Sequence, residues 1–194
     1  MKKYLLLLMA VCVAGLGNKL SAQEWAIKSN LLYDATTTIN FGIEKSIAPK
    51  WTFDLSGNYN PFQFSDNMKW KHWLVQPEFR WWTCREFSGH FLAAHLVGGA
   101  YNFGNIDGLP NFLGNNLSEL ADHRFEGWFA GAGVGYGYAW ALGKHWNLEA
   151  EICFGAAYTN FDKYYCPKCG EKISTDHHIY VGPTKAAINL VYLF

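Results

Sequence analysis

Two thiols separated by two residues, in the run Cys166-Pro-Lys-Cys169-Gly170, have the spacing of a zinc knuckle, and His177 and His178 follow a few residues on. Thiolate sulfur and imidazole nitrogen are the donors a tetrahedral zinc ion takes, and glycine after the second thiol lets the backbone turn its amides toward sulfur. One knuckle fixes only two of four ligands, so the simpler expectation is a short-range disulfide or a reduced pair in a surface loop. A thioredoxin-like redox role would need a βαβ context that the surrounding sequence lacks. No cofactor other than this possible zinc is implied.

A second constellation is ionic: Glu78, Arg80, His95, Glu149 and Glu151. Paired carboxylates beside a histidine are the groups of general acid and base catalysis. They are also what a narrow protein interior holds when charges must pair with one another, and this is the expected role. A third set, Ser65 and Asp66 with His72, and Asp122 beside His123, contains the residue types of a lipid hydrolase or acyltransferase without a recognisable pattern. Tyr59 to Trp73, with Lys69-Trp70-Lys71-His72-Trp73, mixes bases and aromatics that would either hold phosphates of a surface glycolipid or form an interfacial girdle.

The elements that must position these groups read as strands. From Trp146 the even positions are Trp146, Leu148, Ala150, Ile152, Phe154, Ala156 and Tyr158, whereas the odd ones include Asn147, Glu149, Glu151 and Cys153. Period-two sorting of this kind is a two-faced strand. It recurs in Trp51 to Tyr59 and Trp73 to Trp81, and it is sharpest in Trp128 to Trp140, where the other face is Gly127, Gly131, Gly133, Gly135 and Gly137. Eight such segments are expected, at 24–34, 36–46, 50–60, 70–83, 88–102, 124–142, 145–161 and 178–194. Short turns near Ala48-Pro49-Lys50, Arg85 to Ser88 and Gly143-Lys144 alternate with longer loops at 60–69, 103–123 and 162–177; the turn near Ala35 is also short. That is the pattern of an eight-stranded antiparallel transmembrane β-barrel with periplasmic turns and surface loops.

Volume decides which face points inward. Eight strands enclose only enough space for side chains, so the glycine-rich face fits inside and the aromatic face does not. Lys28, Glu44, Asp54, Glu78, Arg80, His95, Glu149 and Glu151 then line the lumen as an ionic network. Trp25, Trp51, Trp81, Trp140, Trp146 and Phe194 fall at the periplasmic strand ends, where indole rings straddle a membrane interface. A soluble lipocalin-like barrel would require the inverse arrangement.

Lys2 and Lys3 precede an apolar run from Tyr4 to Leu16, and Ser21-Ala22 precedes Gln23, so residues 1–22 read as a secretory signal peptide and 23–194 as one barrel domain. The whole chain carries 16 basic and 16 acidic residues; losing Lys2, Lys3 and Lys19 leaves it mildly acidic. With no concentrated basic stretch, a nucleic-acid partner is not expected. The alternation Ile188, Leu190, Tyr192, Phe194 ends on an aromatic, the address read by the barrel assembly machinery, which is thus an expected partner along with outer-membrane lipid.

The stretches Lys28 to Thr38, Trp51 to Gly57, Tyr59-Asn60-Pro61 and Lys69 to Glu78 resemble the exported family catalogued as domain of unknown function 3575. The resemblance implies a small outer-membrane barrel of a Gram-negative anaerobe, sometimes encoded with fimbrial or other surface components, and it carries no catalytic residues. The resulting expectation is a non-enzymatic barrel of the bacterial outer membrane, with a plugged polar lumen and exposed loops, in a structural, adhesive or surface-appendage role. The alternative is a lipid-modifying barrel enzyme of the deacylase or acyltransferase type.

Overall fold

Alternating side chains commit this chain to strands, and eight of them close on themselves. The computed structural model describes residues 23–63, 68–106, 117–165 and 170–194. In chain order they form β1 (Trp25–Asn30), α1 (Leu31–Ala35), β2 (Ile39–Ala48), β3 (Trp51–Asn60), β4 (Lys69–Trp82), β5 (Gly89–Gly104), a 3-10 turn (Leu117–Leu120), β6 (His123–Ala141), β7 (Trp146–Tyr165) and β8 (Lys172–Leu193). Each strand pairs antiparallel with the next, and β8 returns to β1 through Ala26 opposite Leu193 and Asn30 opposite Asn189. Closure removes the free edge, the liability of open sheets, where β8 meets β1, whereas residues 172–188 of β8 ladder with β7 alone.

Two boundaries differ from the sequence expectation. The first strand stops at Asn30, and residues 31–35 form a single helical turn instead of continuing it. Asn30 accepts a hydrogen bond from Leu32 N at 3.1 Å, a helix N-cap that ends the strand, and its Oδ1 also accepts from Ile188 N at 3.2 Å. Ser29 and Asn40 both donate to Asp34, fastening the turn over the end of the barrel. At the other end of the sequence, β7 runs on to Tyr165 and β8 starts at Lys172, so most of the expected loop at 162–177 is hairpin. Phe161 opposite Asp176 and Asn160 opposite His177 continue the ladder beyond the barrel wall.

Strand lengths therefore rise from 6 residues in β1 to 22 in β8, and one side of the barrel stands much taller than the other. Lys172 Nζ lies 2.7 Å from Asp162 and Thr175 donates to the same carboxylate, which holds the Asp162 carboxyl below its ordinary value.

The end opposite α1 is closed by a side chain. Phe87, in the turn between β4 and β5, has φ 60°, a conformation that bulky residues rarely adopt. Its ring is buried against Ala26, Val191 and Leu193, and its carbonyl accepts from Asn147 Nδ2 at 2.5 Å. Burial of that ring at the floor of the barrel compensates for the backbone strain.

Candidate functional site

Inward carboxylates of four strands converge on one guanidinium. Arg80 on β4 is fully buried. Its Nε lies 2.6 Å from Glu78, its Nη1 3.0 Å from both Glu44 on β2 and Glu149 on β7, and its Nη2 2.8 Å from Glu151. Asp54 on β3 is farther, at 3.9 Å. A planar fork with five donors suits this role, because each N–H can face a different wall.

Two lysines complete the cluster. Lys28 pairs with Glu44 and lies 3.4 Å from Glu149 and 3.5 Å from Asp54. Lys185 Nζ lies 2.7 Å from Glu78 and 3.1 Å from Glu151. Neutral donors extend the network: Thr52 donates to Glu44, and Trp82 Nε1 donates to Thr52 at 2.9 Å. The Arg80 guanidinium stacks over Phe91, 4.6 Å from the ring centroid, and Phe91 packs against Trp82 at 4.6 Å between centroids. A gap of about 20 Å³ beside Lys28, Asp54 and Lys185 is roughly the room of one water.

All eight lumen residues of the sequence expectation are buried and lie in or beside this cluster, with His95 Nδ1 at 4.0 Å from Glu78. Lys185 was missed, although the signal was present. The outward run Ile188, Leu190, Tyr192 puts the odd positions of β8 inside, and extending that phase back to 185 places a lysine in the lumen. Cys153 was likewise on the inward phase of β7; its thiol donates to Glu151 at 3.1 Å.

The aromatic set lies at one end of the barrel. Trp51 is opposite Trp81, Trp140 opposite Leu148, and Trp146 opposite Tyr192; Phe194 exchanges backbone hydrogen bonds with Trp25. Lys45 Nζ sits 4.7 Å above the Trp25 ring. Tyr59 and Trp73 are a cross-strand pair on the outer face, about half exposed. Trp70 and His72, by contrast, line an open cavity of about 380 Å³ at the α1 end, with Tyr33, Leu74, Tyr101 and Phe129. The basic and aromatic stretch is thus divided between the two faces of the strand, and it does not form one surface.

Cys166 and Cys169 lie outside the described residues, as do Ser65 and Asp66. His177 and His178 occupy successive positions of β8, opposite Asn160 and Thr159. Successive side chains of a strand point to opposite faces, so the two imidazoles cannot converge on one ion while the strand persists; one of them, His177, stacks on Tyr158. His123, of the hydrolase-type grouping, packs at a tilt against Tyr165, with ring centroids 5.9 Å apart.

A closed eight-stranded antiparallel barrel with a salt-bridged interior is the class that fold and site define. Within it, the chain belongs to the family described as protein of unknown function DUF3575, whose model matches residues 5–194. No curated protein and no solved structure matches it.

Proposed function

We propose that this protein is a small barrel of the bacterial outer membrane, exported by way of residues 1–22, that performs no chemistry and presents its α1-end loops at the cell surface in a structural, adhesive or appendage-associated role. One observation carries the reading: large apolar side chains occupy the outside of the barrel and charges the inside. Val181 is 70% exposed, Val134 67%, Leu96 60% and Ile39 59%, with Phe41, Phe79 and Phe154 each more than half exposed. A water-soluble barrel exposing so much contiguous apolar surface would aggregate, whereas lipid is the natural solvent for it. The tryptophans gathered at one rim support the same orientation.

The ionic layer supports a plug over a pore. Five carboxylates and three bases occupy the cross-section, four of the carboxylates at hydrogen-bonding distance from a base and Asp54 within ion-pair reach, and little room is left among them for solvent. The buried cluster offers no open approach to a substrate, which supports a structural role for these charges.

The test is fractionation with gel mobility. The mature protein is expected in outer-membrane fractions and is expected to migrate differently with and without boiling, since closed barrels resist detergent. Recovery as a soluble periplasmic protein overturns the proposal.

A further inference from the structure

His95 on β5 is buried with neither ring nitrogen hydrogen-bonded among the described residues. A buried imidazole whose polar atoms lack partners is costly, and its surroundings suggest what would satisfy it. One donor atom each from Glu78, His95 and Cys153 lies within 4.8 Å of the others, and all three residues are buried. Ligands of a tetrahedral zinc stand roughly 3.3–3.8 Å apart, given metal–ligand distances of about 2.0–2.3 Å. Side-chain shifts of about 1 Å would therefore close the set.

A glycine on β6 lets the polar side chains gather. A β-carbon on residue 133 would stand 2.5 Å from Thr184 Oγ1 and 2.8 Å from His95 Cε1, so only glycine there lets the hydroxyl and the imidazole pack this close to the β6 backbone. Thr184 Oγ1 is itself buried and without a hydrogen-bond partner among the described residues, and it lies beside the His95 ring at the same point of the wall.

Charge points the same way. Glu44, Asp54, Glu78, Glu149 and Glu151 oppose only Lys28, Arg80 and Lys185 among the described buried residues. Fully ionised, that interior has an excess of two negative charges in a medium where unpaired charge is costly.

We propose that the barrel interior binds one divalent, borderline-soft cation, of which zinc is the type, through Cys153, His95 and Glu78, with Thr184 at its edge. Thiolate, imidazole and carboxylate together select such an ion over magnesium or calcium, which prefer oxygen alone. On binding, the Cys153 S–H bond breaks and a sulfur–metal bond forms. The proton passes to Glu151 Oε1, which already accepts from that thiol at 3.1 Å. The ion's two charges then cancel the excess, and Lys185, 2.7 Å from Glu78 and 3.1 Å from Glu151, stays paired with the Glu78 carboxylate and beside the now neutral Glu151 carboxyl. This site is separate from the loop thiols Cys166 and Cys169.

The experiment titrates the detergent-extracted full barrel with Co²⁺ and Zn²⁺ and follows the thiolate-to-cobalt charge-transfer absorption, which reports sulfur ligation directly. The expected result is a charge-transfer band that Zn²⁺ displaces, that survives Cys166→Ser/Cys169→Ser, and that disappears in Cys153→Ser. His95→Gln is expected to weaken cobalt binding by more than about 100-fold, because even groups that only support a ligand are worth about 10–100-fold. It also carries the test if Cys153→Ser does not yield a barrel that shifts on boiling. Absence of a band from the folded wild type overturns the proposal, as does a band lost entirely with the loop thiols or one indifferent to His95→Gln.

Discussion

Arg80 on β4 reaches Glu151 on β7 across the barrel, with Nη2 and Oε2 2.8 Å apart and both side chains without solvent contact. A hydrogen bond of that kind ties walls that are not neighbours in the sheet and turns the lumen into a strut. Removing the guanidinium leaves Glu44, Glu78, Glu149 and Glu151 short of their shared partner. Arg80→Ala is expected to destabilise the folded barrel by about 3–5 kcal/mol, the range for breaking a buried pair on one side. Urea unfolding in detergent or lipid, followed by tryptophan fluorescence, measures it. Arg80→Lys is expected to recover only part of the loss, because one ammonium cannot face four carboxylates. Planar-bilayer recordings on the native protein are expected to show no steady conductance, and a large stable channel would refute the plug.

Val134 separates a lipid-facing wall from a water-facing one. It sits in the middle of β6, opposite Ala94 and Phe154, and is 67% exposed. In water, Val134→Arg on an exposed strand face would change stability by no more than about 0.5 kcal/mol. In a bilayer it is expected to cost about 2–4 kcal/mol near the midplane. Folding into lipid vesicles under a urea gradient, compared with the same substitution at the rim position Ala141, distinguishes the two.

The alternation of β3, β6 and β7 was legible because one face of each strand is nearly uniform, glycine on β6 and polar on the others. From this, the number of strands, their order and their inward phase follow without any contact information. The first hairpin was not legible in the same way. Leu31 and Leu32 continue an apolar pattern, and only the side-chain bonds of Asn30, Asp34 and Asn40, which join residues up to 10 apart, turn that segment into a helix. The extension of β7 and β8 past the barrel was hidden for the opposite reason. Phe161 to Tyr165 and Lys172 to His178 are polar and aromatic on both faces, so no period marks them, and cross-strand pairs such as Asp162 with Lys172 and Thr175 appear only once the register is known. For the site, inward phase was readable residue by residue, but the meeting of Glu78, His95 and Cys153 from three strands depends on barrel closure.

Gly137 tests how tightly the lumen is filled. A β-carbon there would run into the Phe91 ring, the ring that carries the Arg80 guanidinium on its face. The clash is with an aromatic held between Trp82 and Arg80, and Phe91 has nowhere to swing. Gly137→Val is expected to destabilise the barrel by about 1–3 kcal/mol through overpacking. Gly57, whose added β-carbon would meet nothing within 4 Å, is the control. Gly57→Ala is expected to be tolerated, and equal losses at the two positions would show that strand propensity, and not the lumen, is the cause.

Asp162 gives the outer hairpin of β7 and β8 a pH dependence. Its carboxyl is held below the ordinary value by the hydrogen bond from Lys172 first and by Thr175 next. A depressed carboxylate contributes stability above its unfolded value and loses it as the pH falls through the folded one. With an unfolded aspartate near pH 3.9, the hairpin is expected to be unchanged from neutrality to about pH 5 and to loosen as the pH falls further. The pair is exposed, so the effect is confined to local opening and leaves the barrel wall intact. Amide hydrogen exchange, corrected for the intrinsic effect of pH, is expected to lose protection at residues 160–165 and 172–176 on acidification, while residues 148–154 keep theirs. In Asp162→Asn the hairpin is expected to be looser already at neutral pH and to show no further change with acid; a wild-type response in that variant would assign the pH dependence to another group.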